Sequence, residues 1–181
     1  MYEKKVSDKL IEFNKDNDQA SSKCIIQENS VFNKFNDLLK NDFDVIKTNE
    51  GCSVDFIIKP KNILNNKWLG IQLKTTKGIC HNLYSFNLHK NQYENMVMLC
   101  YSFENNIIWC IPHNIVSHLK RMLNIGLTDK SIYNKYKTNN PTLIIKLNEY
   151  FQSFILDTIE NYMIPKNIHQ QREIKYIKIR E

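Results

Sequence analysis

Between Ser53 and Thr76 the chain reads SVDFIIKPKNILNNKWLGIQLKTT, two apolar runs joined by a polar loop. Each run carries polar groups that a buried strand does not need: Asp55 in the first, Gln72 and Lys74 in the second. A carboxylate and an amide offer oxygen ligands to a hard cation. An ammonium group can orient a water or stabilise developing negative charge. In an extended strand, alternate side chains share a face. Gln72 and Lys74 then point the same way, with the Leu73 carbonyl between them. Ser53, Asp55 and Ile57 share one face of the first run, so neighbouring strands would set Asp55 beside the Gln72–Lys74 pair. Each residue alone has an ordinary reading, as an ion-pair partner or part of a solvated strand face. Their combination argues for a site.

An upstream segment, ASSKCIIQENSVFNKFNDLLK (20–40), repeats apolar residues at helical spacing. Phe32, Phe35 and Leu39 define a stripe flanked by Val31 and Leu38, with Ser21 or Ser22 available as a cap. Glu28 falls within that stripe rather than on the polar face. A carboxylate on a buried side needs a positive partner, whereas one near a helix start can instead favour the dipole from solvent.

The elements that must hold these residues follow from pattern and punctuation. A short helix is expected over 7–16. Strands are expected over 44–48, 53–59 (stopped by Pro60) and 68–76, with a strand-like LYSFNL and a turn of helix at NQYEN beyond. A hairpin over 96–103 and 107–112 turns at Glu104–Asn106. Helices are expected over 113–124, closed by Gly126, and over 143–163, with a polar loop at 127–142 between them. The order implies a mixed α/β domain with a central β-sheet and flanking helices. The expected organisation is an N-terminal segment 1–19, a core 20–126 and a C-terminal helical extension 127–181, whose abrupt charged end suits a piece of a longer chain.

The chain has 181 residues and is 42% hydrophobic, enough for one compact domain with its own core. An aromatic fraction of 11% argues against wholesale disorder. No apolar run approaches the roughly 20 residues of a membrane span, and MYEKKVSDKLIEF lacks the apolar centre of a signal peptide. The expected location is intracellular, in cytoplasm, nucleus or a virus-infected host, with no membrane association. Five cysteines without paired spacing suit reduced thiols, and neither Cys80–His81 nor Cys110–His113 has a second ligand pair for zinc. A net charge of +6 favours a polyanionic partner. Compositional bias dilutes that argument, since Ala occurs once and Gly four times while Lys, Asn and Ile abound.

The order of helix acid, strand acid and strand Gln-x-Lys resembles the restriction-endonuclease-like PD-(D/E)XK nucleases, in a (Q)xK variant found in homing endonucleases. The resemblance covers about residues 20–112. It departs from the family pattern at Val54, where the family has Pro, and at Gln72, where it usually has an acid. It implies a restriction-endonuclease-like core followed by C-terminal helices, and a Mg2+-dependent endodeoxyribonuclease, with Mn2+ able to substitute. Asp55, Gln72, the Leu73 carbonyl and Glu28 would be metal ligands, and Asp55, Gln72, Lys74 and Glu28 the catalytic set. Thr75, Thr76 and Lys77 would touch DNA, and cutting both strands of a duplex would call for a homodimer. A structure-selective nuclease, such as a Holliday-junction resolvase, and an inactive DNA-binding module of the same fold are the alternatives. Nearby polar residues such as His81 and His89 have no spacing that compels a role.

Overall fold

The structure, a computed structural model, describes residues 29–49, 51–88 and 95–164. The chain divides into two compact units, Met1–Leu38 and Leu39–Glu181. Helix α1 is described over 29–39, and its buried residues Val31, Phe35 and Leu39 fall four apart, the spacing expected of one helical face. Glu28, the helix expected over 7–16, the NQYEN turn and the charged tail lie outside the described residues.

The second unit is built on a six-stranded sheet. Its strands are β1 (Phe43–Lys47), β2 (Phe56–Pro60), β3 (Leu69–Thr76), β5 (Met96–Ser102), β6 (Ile107–Pro112) and β8 (Lys137–Thr138), in spatial order β1-β2-β3-β5-β6-β8. β1, β2 and β3 form an antiparallel meander, β3 and β5 run parallel, and β5 and β6 form a hairpin. A parallel pair needs a crossover, and here the crossover contains β4 (Leu83–Asn87). β4 leaves the main sheet and pairs instead with β7 (Met122–Gly126) as a separate two-stranded ribbon. A central mixed sheet with flanking helices is therefore observed, as expected from the sequence.

The ribbon seals one face of the sheet. Tyr84 and Phe86 from β4 and Leu123 and Ile125 from β7 join Met98, Cys100, Trp109 and Ile111 of the sheet in one buried cluster. Trp109 is the hub: its ring lies 4.9 Å from that of Tyr84 and 5.9 Å from that of Phe86. Its indole N–H donates to Asn134 Oδ1 at 3.3 Å. Helix α3 (Asn140–Ser153), N-capped by the Asn139 side chain, buries Leu143, Leu147 and Phe151, and its Tyr150 hydroxyl donates to the Cys110 carbonyl at 3.4 Å.

Several expected boundaries move. The helix expected over 113–124 is α2 (His113–Val116) only, and 122–126 is strand. Leu123 and Ile125 are buried while Met122 and Asn124 are exposed, the period-two pattern of a half-buried strand, and pairing with β4 captures it. The helix expected over 143–163 ends at Ser153, because Phe154 turns extended, and a short α4 (Ile159–Tyr162) follows separately. The expected loop 127–142 contains a 3-10 turn (Asn134–Tyr136) and the edge strand β8.

Short α4 matters to the site because Tyr162 is buried over Gly70, its hydroxyl donating to the Trp68 carbonyl at 3.2 Å. A Cβ on Gly70 would lie 2.8 Å from Tyr162 Cε1 and 2.9 Å from Val54 Cγ1. In an open strand Ala would be favoured over Gly by about 0.5–1 kcal/mol. Here the anchored Tyr162 ring cannot give way freely, so overpacking decides the sign. Gly70→Ala is expected to destabilise the protein by about 1–3 kcal/mol, read as a lower urea midpoint at unchanged slope.

Candidate active site at the β2–β3 end

Asp55 does not lie within a regular strand, as the sequence pattern suggests. It is the last residue of a bend, Ser53–Asp55, and β2 begins at Phe56 and runs through Pro60. The bend is held from both sides. The Asp55 N–H donates to the Ile71 carbonyl at 2.8 Å, and the Asp55 carbonyl accepts the Thr48 N–H at 3.1 Å. The Thr48 hydroxyl donates to the Val54 carbonyl. Val54 thereby turns into the same core cluster as Ile57, which strict alternation would forbid.

The consequence falls on β3. Where the chain bends away, the Leu73 N–H on the β2 side finds the Asp55 carboxylate instead of a strand carbonyl, donating to Oδ2 at 2.5 Å. The Gln72 amide nitrogen donates to the same Oδ2 and lies 3.4 Å from the Leu73 carbonyl oxygen. Asp55, the Gln72 amide and the Leu73 backbone thus form one polar cluster at the end of the β2–β3 pair.

Lys74 shares the Gln72 face of β3, and register places it opposite Cys100 of β5. Gln72 and Lys74 are each only 8% exposed, so both polar ends emerge from an apolar surround. In such low-dielectric surroundings a charge acts more strongly than it would in water. Burial pushes the Cys100 thiol up to about 12, against the opposing pull of Lys74, so Cys100 stays neutral beside the amine.

Among the remaining expected residues, Thr76 continues the Gln72–Lys74 face, while Thr75 lies on the opposite one. Thr76 is half-buried, its hydroxyl 3.4 Å from the Gly78 carbonyl. Lys77 is exposed at the strand end, 3.9 Å from the Glu104 carboxylate. Thr48 carries no signal in the sequence, because its role in holding the bend depends on a partner six residues on.

A carboxylate, an amide oxygen and a backbone carbonyl are hard oxygen donors with one net negative charge, which fits a hard divalent cation better than a thiophilic metal, although here the Gln72 amide turns its nitrogen toward the other two and would have to rotate to join them.

The fold is similar to that of a bacterial homing endonuclease, I-Ssp6803I. The likeness has a TM-score of 0.50 at 16% identity, and covers 71% of this chain and 93% of that one. No protein-family model matches the sequence. No curated protein matches it either. Among the described residues, no helix is long and apolar enough to cross a membrane.

Proposed function

We propose that this chain is a Mg2+-dependent endonuclease that hydrolyses DNA phosphodiester bonds, of restriction or homing type. The observation that carries the reading is the joint hold of Leu73 N–H and the Gln72 amide on the Asp55 carboxylate, one residue from Lys74. The likeness to a homing endonuclease fold supports it. Asp55, Gln72 and the Leu73 carbonyl would hold the cation. When bound, the cation neutralises phosphate charge and lowers the pKa of a water. Mn2+ is expected to substitute.

The chain's own groups do the rest. Lys74 orients the attacking water or meets the negative charge that develops on the phosphate oxygens. Its burial enlarges that effect. Thr76 and Lys77 would touch the DNA backbone, and Thr75 would do so only from the opposite face of β3. Two copies would be needed to cut both strands of a duplex at one site, so a homodimer on DNA is the expected assembly. One observation favours a second reading. The Gln72 amide nitrogen, not an acid, meets Asp55, which suits a DNA-binding module that has lost catalysis.

Cleavage of supercoiled plasmid separates the two. Wild type is expected to nick or linearise DNA with Mg2+ and to stop with EDTA. Lys74→Ala should lower the rate by roughly 100- to 1,000-fold, the loss typical of removing one preorganised charge-stabilising group. Cutting that survives both EDTA and Lys74→Ala would sink the proposal. Binding without cutting, across branched and linear substrates and divalent ions, would leave the binding-module reading.

A further inference from the structure

The β4–β7 ribbon buries one face completely and leaves the other partly exposed, most of all at Asn87, Met122 and Asn124. Its inward residues, Tyr84, Phe86, Leu123 and Ile125, are all buried. Its outward positions include Ser85, Asn87 and Asn124, with Ser85 and Asn124 directly opposite each other. The Ser85 hydroxyl donates to Asn124 Oδ1 at 2.8 Å. This bond occupies one lone pair of the exposed Asn124 Oδ1 and restrains the amide, whose Nδ2–H2 is not part of it.

Acids are sparse in the segments that carry the ribbon, with Asp129 near its Gly126 end the nearest in sequence. No Asp or Glu occurs from Phe56 through Leu88, nor from Asn105 through Thr128, although the chain carries 19 such residues. Lys120 and Arg121 stand exposed at the entry to β7, and the Arg121 carbonyl accepts the Leu88 N–H at 2.7 Å, so this basic end lies beside the end of β4. Cations at the end and an uncharged face, with Asn87 and Asn124 beside the exposed Met122, match the division of labour on duplex DNA, where phosphate contacts position and base contacts specify. A two-stranded ribbon fits a major groove about 12 Å wide. An oriented Asn amide can pair bidentately with the N6 and N7 edge of adenine there.

We propose that the β4–β7 ribbon enters the major groove of duplex DNA, with Asn124 (oriented by Ser85) and Asn87 reading base edges and Lys120 and Arg121 holding phosphates. The assignment rests on the nuclease reading for its choice of DNA as ligand. The ribbon packs on the same sheet face that carries Gln72 and Lys74, so groove and scissile phosphate would be met from one side.

The test is selection of bound duplexes from a randomised DNA pool by the full-length chain in EDTA, where binding is read without cutting. Wild type is expected to enrich a motif containing fixed A·T pairs. A pool made with 7-deaza-adenine, which lacks the N7 acceptor, should bind roughly 10-fold more weakly at that motif. Asn87→Ala/Asn124→Ala should lose preference at those pairs and become indifferent to 7-deaza-adenine. Lys120→Ala and Arg121→Ala should weaken all sequences alike and lower the salt slope by about 1 each. Unchanged circular dichroism and urea midpoint of the double variant would show that it folds. The proposal is overturned if wild type enriches no motif, if the double variant keeps the same motif, or if its only change is in oligomeric state. Plasmid cleavage is scored separately: specific binding without cleavage would defeat the nuclease reading alone, and cleavage without base preference would defeat the ribbon assignment alone.

Discussion

Asp55→Asn is expected to lower Mg2+-dependent DNA cleavage by roughly 1,000-fold or more, equivalent to losing about 4 kcal/mol of charge stabilisation. The substitution keeps the side chain's shape. An Asn carbonyl oxygen can still accept the Leu73 N–H that Asp55 Oδ2 now accepts. The bend is also held by backbone bonds from Asp55 to Ile71 and Thr48, which the substitution leaves alone. What disappears is the negative charge, the one formal charge among the three oxygen donors Asp55, Gln72 and Leu73. Rate should therefore collapse while the unfolding free energy stays within about 0.5–1.5 kcal/mol of wild type, the usual net worth of a hydrogen bond. Single-turnover cleavage together with isothermal unfolding checks both halves. A variant that cuts at the wild-type rate would remove Asp55 from the site. A variant that unfolds outright would make Asp55 a structural residue first.

Trp109→Ala should cause the largest loss of stability, about 3–5 kcal/mol, against a total of about 5–15 kcal/mol for a domain of ordinary stability. Trp109 is fully buried and joins three parts that are distant in sequence. It belongs to β6, its ring packs on Tyr84 and Phe86 of β4, and its N–H reaches Asn134 beyond β7. Removing it opens a cavity between sheet and ribbon and leaves the Asn134 Oδ1 without that donor. Asn134 also ties the chain after β7 by donating to the Gly126 and Thr128 carbonyls at 2.9 and 2.7 Å. Denaturant unfolding should show a large drop in midpoint, and amide exchange should rise first in β4 and β7. Trp109→Phe, which keeps an aromatic ring in the same place, should recover much of the loss. Equal loss from both variants would mean that the indole N–H, not the ring, holds the ribbon.

Part of the candidate site's geometry was legible because its logic is local. The period of a strand is two whatever the fold, so Gln72 and Lys74 had to share a face once β3 formed. The runs Leu69–Thr76, Met96–Ser102 and Ile107–Pro112 declared themselves by apolar, β-branched composition and by the Glu104–Asn106 turn between the last two. Tertiary structure decided what depended on partners far along the chain. Asp55 reaches Leu73 and Gln72 not by alternation but because Thr48 and Ile71 hold a bend, an arrangement made of bonds across 6 to 18 residues. Residues Met122–Gly126 satisfy both a helical and an alternating pattern, and a five-residue run cannot choose between them. Pairing with β4, some 40 residues earlier, made that run a strand and turned Asn124 outward beside Ser85. The sequence by itself determined which residue types could do chemistry and that Gln72 and Lys74 stand on one side of β3. Long-range pairing determined which of them meet, because a strand's hydrogen bonds, unlike a helix's, are satisfied only by another part of the chain.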